Sequence, residues 1–253
     1  MVAFKSARLK IKRADEHIAD VNRIVSAYNS GESQCVLREI NSQTGNQILK
    51  YDFKNPIPLD DLALIIGDTV HNLKTAADHG WFTLLSAFAP GLAKKSHSKF
   101  PVYPNRRDLE SALRGVKIHT ICPHLFDFVV NDLRPYGEGG NHLICAINDM
   151  DVRDKHKLLV PLARITAVTG AVLETETGQM VEGVSWGNTT ESLPIMVPIG
   201  MNTKVKDYGH IAFDIILEQP AMYTFSISET LRILSEETLK IVQLMEKFFV
   251  LRV

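Results

Sequence analysis

One segment of the chain, residues 67–79, gathers side chains that can exchange protons or hold a ligand. It reads Gly-Asp-Thr-Val-His-Asn-Leu-Lys-Thr-Ala-Ala-Asp-His, so two aspartates, two histidines, an asparagine and a lysine lie among apolar residues. Several of these residue types form helices poorly, which makes them an unusual choice for a purely solvated helix face. The segment therefore indicates side chains that face one another, a partner helix or a ligand.

A helical rotation of about 100° per residue places most of these side chains on one stripe. The stripe comprises residues that lie within about 80° of Asp68: Asp68, His71, Asn72, Thr75, Asp78 and His79. Large apolar residues centre on the opposite side of the same helix. Three interpretations remain open: a solvated surface, a buried network that fixes helix packing, and a working site.

A second charged cluster, residues 149–157, ends a predicted helix that begins at residue 141. Asp151, Asp154 and Lys155 fall on the side of this helix that also carries its apolar residues. Charges on a core-facing side need partners, because an unpaired buried charge is costly. Asp151 and Lys155 are spaced i, i+4 and could pair with each other. We expect the two polar clusters to meet where their helices pack.

The two clusters together resemble a family of uncharacterised bacterial proteins. The likeness rests on the block at residues 67–79, on Arg-Pro-Tyr at 134–136 and on Asp-Lys-His at 154–156, and it covers about residues 60–160. With the rotation argument it marks a network or ligand-binding set: Asp68, His71, Asn72, Asp151, Asp154, Lys155 and His156. The family has arginine where this chain has Lys74, which puts any role that needs a bidentate guanidinium in doubt. The resemblance implies no activity.

Part of the same segment resembles the HEPN superfamily of helical ribonucleases and nucleotide-binding proteins. Their mark is an arginine followed after four to six residues by a histidine, and Lys74 and His79 have that spacing with lysine in the arginine position. The resemblance implies a metal-independent ribonuclease or nucleotide site. In it His79 is the general acid/base, Lys74 stabilises charge and Asp78 orients the histidine. The alternative is a non-catalytic structural or interaction module in which the network only fixes helix packing.

A divalent-metal site is a further alternative for the same side chains. Asp68, His71, Asp78 and His79, with a carboxylate from the second cluster, would supply mixed nitrogen and oxygen ligands. A dinuclear site in a helical bundle normally takes a Glu-x-x-His pair from each of two helices, and only one comparable pair is present. The sequence therefore predicts no metal site and no cofactor.

Net charge, cysteine spacing and hydropathy indicate which partners and which cellular compartment to expect. The net charge of −1 excludes a globally basic nucleic-acid binder, although basic residues near the N-terminus and in the loop at 94–107 would form a local patch for RNA or a nucleotide if they were neighbours. The three cysteines are dispersed, no run of about 18 apolar residues occurs and no secretory leader is visible. We expect a cytoplasmic protein with no membrane partner, and a homo-oligomer is compatible with the sequence.

Hydrophobic periodicity predicts the elements that must position these side chains. Helices are predicted at residues 5–29, 59–88, 108–114, 123–132, 141–157 and 226–249. Strands are predicted at 35–42 and 47–53, which form a hairpin, and at 164–169, 171–176, 179–186 and 210–217, with a turn at 134–140. The layout predicts an α+β fold in one integrated domain, 1–253. Its part up to residue 157 is mainly helical, and the part from 158 contains an antiparallel sheet and a closing helix.

Overall fold

The computed structural model describes residues 3–30, 32–93, 97–187, 195–200, 202–217 and 225–252. The helices are α1 (Lys5–Asn29), α2 (Leu59–Phe88), α3 (Arg106–Gly115), α4 (Ile118–Ile121), α5 (Pro123–Asp127), α6 (His142–Asp154) and α7 (Ile227–Arg252). The strands are β1 (Gln34–Ile40), β2 (Gln47–Phe53), β3 (Tyr103–Asn105), β4 (Tyr136–Glu138), β5 (Pro161–Glu174), β6 (Met180–Gly187), β7 (Ile195–Ile199), β8 (Lys204–Asp207) and β9 (His210–Leu217). The predicted α+β class is confirmed, with a largely helical N-terminal half, antiparallel strands in the C-terminal half and α7 as the closing helix.

The chain folds into two compact units, each built from segments that are distant in sequence. The first comprises Met1–Asp20, Ala63–Leu159 and Ser228–Val253, and the second comprises Val21–Leu62 and Val160–Ile227. The candidate site residues all belong to the first unit. The single integrated domain expected from the sequence stays a prediction.

In the first unit, aromatic rings and one ion pair join α1, α2 and α7. Phe249 of α7 packs edge-on against Phe4, just before α1, and against Phe88 of α2, with ring centroids 5.7 and 5.9 Å apart. Arg8 of α1 donates two hydrogen bonds to the Glu246 carboxylate, at 2.7 and 2.5 Å. A bidentate pair of this kind restricts orientation as well as distance. These contacts hold α2, which carries the polar stripe, between two long helices.

A short parallel strand pair lies in the stretch between α2 and α6. β3 pairs with β4 and brings Tyr103 opposite Tyr136. The prediction of an irregular turn at residues 134–140 was wrong for β4, because a pairing between distant residues leaves no local periodicity. The chain reverses directly after β4, where a Cβ on Gly140 would lie 2.2 Å from the Tyr136 carbonyl oxygen. Glycine is required at that position.

The second unit contains two antiparallel sheets. One has the order β1-β2-β7 and extends the predicted hairpin by a strand that the sequence did not predict. β7 contains Pro198 and is the last strand in this order, and a proline is tolerated on an edge strand, where an N–H group needs no partner. The other sheet is built on β5, which pairs with β6 along one edge and with β9 and then β8 along the other.

β5 is one strand of 14 residues, whereas the sequence predicts two strands, at 164–169 and 171–176. Gly170 adopts a φ of +78° within it, so the backbone is locally irregular without reversing direction. The partner strands change at the same place: β9 begins opposite Thr169 and β8 ends opposite Val172. The glycine therefore marks a bulge rather than a turn.

A buried glutamine joins the two sheets of the second unit. The Gln34 side chain donates to the Ile211 carbonyl at 2.9 Å and accepts from the Ile211 amide at 2.5 Å. Beside it, the rings of Tyr28, Phe53 and Phe213 pack edge-on with centroids 5.3 to 6.4 Å apart. The two sheets consequently share one hydrophobic core.

Gly209, between β8 and β9, offers a test of how closely this turn approaches β5. A Cβ there would lie 2.2 Å from the Thr169 carbonyl oxygen, whereas a Cβ on Gly178 would meet nothing within 4 Å, and both glycines have positive φ, +66° and +77°. Each alanine variant loses about 1–2 kcal/mol because of its left-handed backbone. We predict that Gly209→Ala lowers the free energy of unfolding by about 1–3 kcal/mol more than Gly178→Ala, measured by urea denaturation. Equal losses would contradict the close approach.

Candidate functional site

The two polar clusters meet where α2 packs on α6. His71 Nδ1 of α2 lies 2.9 Å from Asp151 Oδ1 of α6, and Lys155 Nζ donates to the other carboxylate oxygen. Asp151 is only 3% exposed, so both oxygens of a nearly buried charge have a donor. The predicted contact between the two clusters is confirmed.

A second group of bonds ties α2 to the extended segment that precedes β3. Lys74 Nζ donates to Asp78 Oδ1 at 2.5 Å, and the Phe100 backbone amide donates to the same oxygen at 2.7 Å. One turn further along α2, the Trp81 indole N–H donates to the His97 carbonyl at 3.0 Å. Lys74 is 5% exposed, and its charge is therefore compensated within the protein.

The stripe seen in the sequence divides into two faces. Asn72 accepts a hydrogen bond from Lys10 of α1 at 3.1 Å and donates to the Asp68 carbonyl at 2.7 Å. His79 is rotated about 20° from Asn72 but about 140° from Lys74. Its Nδ1 is buried and has no hydrogen-bond partner among the described residues. The structure places Asp78 with Lys74 and not with His79.

Gly67, the first residue of the block, makes room for a carboxylate. A Cβ at this position would lie 2.5 Å from Asp154 Oδ1, so a side chain here would displace the Asp154 carboxylate from its place against α2. Burial raises the pKa of Asp154, the backbone hydrogen bond from Leu159 opposes that shift, and the nearby Asp151 and Asp68 charges add to it. Asp154 is thus a carboxyl group that is held against its neighbour helix at an electrostatic cost.

The remaining predicted residues lie at the edge of this contact. Asp68 is exposed, and Thr75 Oγ1 lies 3.5 Å from His71 Nε2. α6 ends at Asp154, three residues before the predicted end at 157. His156 therefore lies beyond the helix and is exposed, so the structure does not bring it into the network.

A cavity of about 280 Å³ opens beside the Lys74–Asp78 pair. Its polar wall includes Lys74, Asp78, His97, Lys99, Asp151 and Lys155. Its apolar wall includes Trp81, Leu85, Phe100, Val102, Leu113 and Ile118. Four of the predicted site residues belong to this lining, and His79 does not. The cavity combines buried ring and aliphatic surface with charged groups that reach solvent.

The aromatic part of this wall was not singled out from the sequence. A signal was available, because Lys74, Asp78 and Trp81 are spaced i, i+4 and i+7 and share one helix face. The contributions of Phe100 and of α3 had no such signal, since they depend on how the chain folds back on α2. Spacing therefore reveals only the α2 part of the wall.

The charged groups of the cavity leave a positive excess. Asp78 and Asp151 each bind a lysine, and Lys99 adds a cation with no partner among the residues that the structure describes. Lys99 belongs to the basic loop noted in the sequence, of which residues 94–96 lie outside the described residues. The basic residues of α1 are not part of this lining. The lysines of the lining therefore favour a ligand that carries an anionic group.

Two further observations concern metal ligands and the Cys145 thiol in the described part of the chain. No group of three or more His, Cys, Asp or Glu residues there is arranged to hold a metal ion. Burial raises the pKa of the Cys145 thiol to about 11, which keeps it protonated at neutral pH and poorly nucleophilic. None of the described helices has the length and apolar character that crossing a membrane requires.

Comparisons of the chain with protein families, with curated proteins and with solved structures found no match. The likeness to the bacterial family and to HEPN proteins stays a prediction. The role of the site must be inferred from its own residues, their burial and their charges.

The Asp151 carboxylate should contribute measurably to stability. Asp151→Ala removes two charge-assisted hydrogen bonds at a nearly buried position, and we predict a loss of about 1.5–3 kcal/mol in the free energy of unfolding. Asp149→Ala, an exposed change on the same helix, should stay within about 0.5 kcal/mol of the unsubstituted chain. Chemical denaturation measures both. Similar effects of the two substitutions would contradict a structural role for Asp151.

The raised pKa of Asp154 has a predictable effect on stability. A carboxyl whose pKa is higher in the folded state holds its proton more tightly there, so its contribution is present at low pH and is lost as the pH rises through the folded pKa. Asp154→Asn keeps a neutral oxygen for the Leu159 amide. The free energy of unfolding of Asp154→Asn, relative to that of the unsubstituted chain, should therefore increase between about pH 3 and pH 7. Denaturation at both pH values measures this, and a pH-independent difference would contradict the shift.

Proposed function

We propose that the chain binds a nucleotide-like small molecule, a flat ring that carries an anionic group, in the cavity beside Lys74. The observation that supports this proposal is the lining of one cavity by aromatic and aliphatic side chains together with three lysines. Its volume of about 280 Å³ is close to the lower end of the range of ligand sites, roughly 300–1,000 Å³. A single nucleoside or nucleotide is the ligand size that suits it.

The apolar wall would receive the ring. Trp81 and Phe100 pack edge-on with centroids 6.4 Å apart, and both are almost fully buried, so their positions are set before a ligand binds. Contact of a base with apolar and aromatic side chains depends little on the identity of the base. This wall therefore favours the class of ligand without choosing one base.

The polar wall would orient the ligand. The Lys74 ammonium has three N–H donors and uses one on Asp78, which leaves donors for a ring nitrogen or carbonyl oxygen. At the open end, Lys99 and the exposed head of Lys155 would attract a phosphate or carboxylate group. The donors and the cations thus belong to the same cavity lining as the apolar residues.

The geometry favours binding over RNA cleavage. A general acid/base must reach the substrate that the charge-stabilising residue contacts. His79 is rotated about 140° from Lys74 on α2 and is not part of the cavity lining. The proposal therefore takes up the nucleotide-binding part of the HEPN resemblance, and the ribonuclease part is left to experiment.

A structural role for the network is a second candidate, and the pairing of both Asp151 oxygens favours it. The two roles are compatible, because Asp151 and Lys155 also belong to the cavity lining. Loss of ligand binding in a network variant would therefore not separate them. Lys99 separates them, because it lines the cavity and takes no part in the network.

Binding is tested by titrating the chain with nucleobases, nucleosides and nucleoside monophosphates in a calorimeter. We predict saturable binding of at least one phosphorylated member and a loss of about 3- to 10-fold in affinity in Lys99→Gln, since an exposed charge contributes modestly. Ala112→Trp, which fills the cavity, should abolish binding. Lys12→Gln, an exposed lysine of α1, is the matched control and should bind like the unsubstituted chain.

Two outcomes would contradict the proposal. The first is the absence of saturable binding to every compound, and the second is equal affinity in Lys99→Gln and Lys12→Gln. Incubation of varied RNAs with the chain in EDTA provides a separate check. Cleavage that is lost in His79→Ala would favour the ribonuclease hypothesis over binding alone.

A further inference from the structure

A second cavity, of about 450 Å³, lies between α7 and the segment where α5 continues into a π-helical turn, Phe128–Leu133. We name it the α5–α7 groove. Its floor is apolar, because Phe128 stacks on Phe248 of α7 with ring centroids 4.3 Å apart and planes inclined by 19°. Leu251 belongs to its lining and is 71% exposed. An apolar groove with an exposed leucine at its margin is an exposed hydrophobic patch, a feature that marks interaction sites.

The two sides of the α5–α7 groove carry opposite charges. Asp127 and Asp132 stand on the side of α5 and the π-helical turn, and Lys247 and Arg252 stand on α7. All four are exposed, and no ion pair involves any of them within the described ranges. Arg252 lies over the ring of Phe248 at 5.9 Å, which extends the apolar floor beneath a cation. The groove therefore presents two unpaired anions and two unpaired cations around one apolar strip.

We propose that the α5–α7 groove is the interface through which two copies of this chain form a symmetric dimer. A two-fold axis brings the acidic side of one copy opposite the basic side of the other, and the same pairing recurs in reverse. The partner is a second copy because the groove is complementary to itself, with equal numbers of both charges. An apolar centre with a charged rim is also the usual anatomy of a protein interface.

The size of the groove sets the expected strength of the dimer. Nine residues line it, fewer than the roughly 20–30 residues per partner of a standard interface. We therefore expect association that depends on protein concentration. This inference is independent of the proposed ligand, because the groove shares no lining residue with the cavity beside Lys74.

The test is charge reversal, with sedimentation measured over a range of concentrations. One variant carries Asp127→Lys with Asp132→Lys, and the other carries Lys247→Glu with Arg252→Glu. Each alone should be monomeric, because both sides of its groove then have one sign. An equimolar mixture should restore the dimer, because the two variants are complementary to each other. Circular dichroism checks that these exposed substitutions leave the fold intact.

Leu251→Asp supplies a second measurement, with Leu9→Asp as its control. Both leucines are largely exposed, 71% and 54%, but only Leu251 lines the groove. We expect Leu251→Asp to weaken dimerisation at least 10-fold and Leu9→Asp to leave it unchanged. A chain that is monomeric up to about 1 mM would overturn the proposal. A dimer that persists in both charge variants, or a mixture that stays monomeric, would overturn it as well.

Discussion

The packing of α2 against α6 depends on where two carboxylates of α6 are accommodated. Asp151 is almost excluded from water, and it remains there because His71 and Lys155 supply a donor for each oxygen. Asp154, one turn further, rests where Gly67 has no side chain. The two contacts on α2 are also one turn apart. Two helices joined at two such levels cannot slide or rotate past each other without leaving a buried charge unpaired.

Local periodicity was sufficient for most helices and for the hairpin. α1 and α2 begin and end where the apolar spacing predicted, because this signal acts within a few residues. The sequence did not predict β3, β4, β7 and β8, since each is defined by a partner far away in sequence. β5 was divided in two because a glycine inside a strand resembles a turn until its pairing is known.

The candidate site was predictable only as far as a single helix can reveal it. Helical rotation correctly indicated that the polar clusters around His71 and Asp151 would meet. It also grouped His79 with Asp78, because a stripe about 120° wide can include two faces of a helix. Burial in three dimensions separates them: Asp78 turns toward Lys74, and His79 lies on the side of Asn72. Which half of a stripe adjoins a cavity depends on elements outside the helix.

The shared oxygen of Asp78 has a consequence for how the cavity would respond to its contents. That oxygen accepts from the Lys74 ammonium and from the Phe100 backbone amide at once. A ligand that draws the Lys74 ammonium toward itself would leave the Phe100 amide as the main donor to Asp78. The strength of that backbone hydrogen bond would then depend on whether a ligand fills the cavity. Thermodynamic linkage is reciprocal, and any force that secures this backbone would favour the ligand by the same amount. If the cavity binds the proposed ligand, the backbone at Phe100 takes part in that equilibrium.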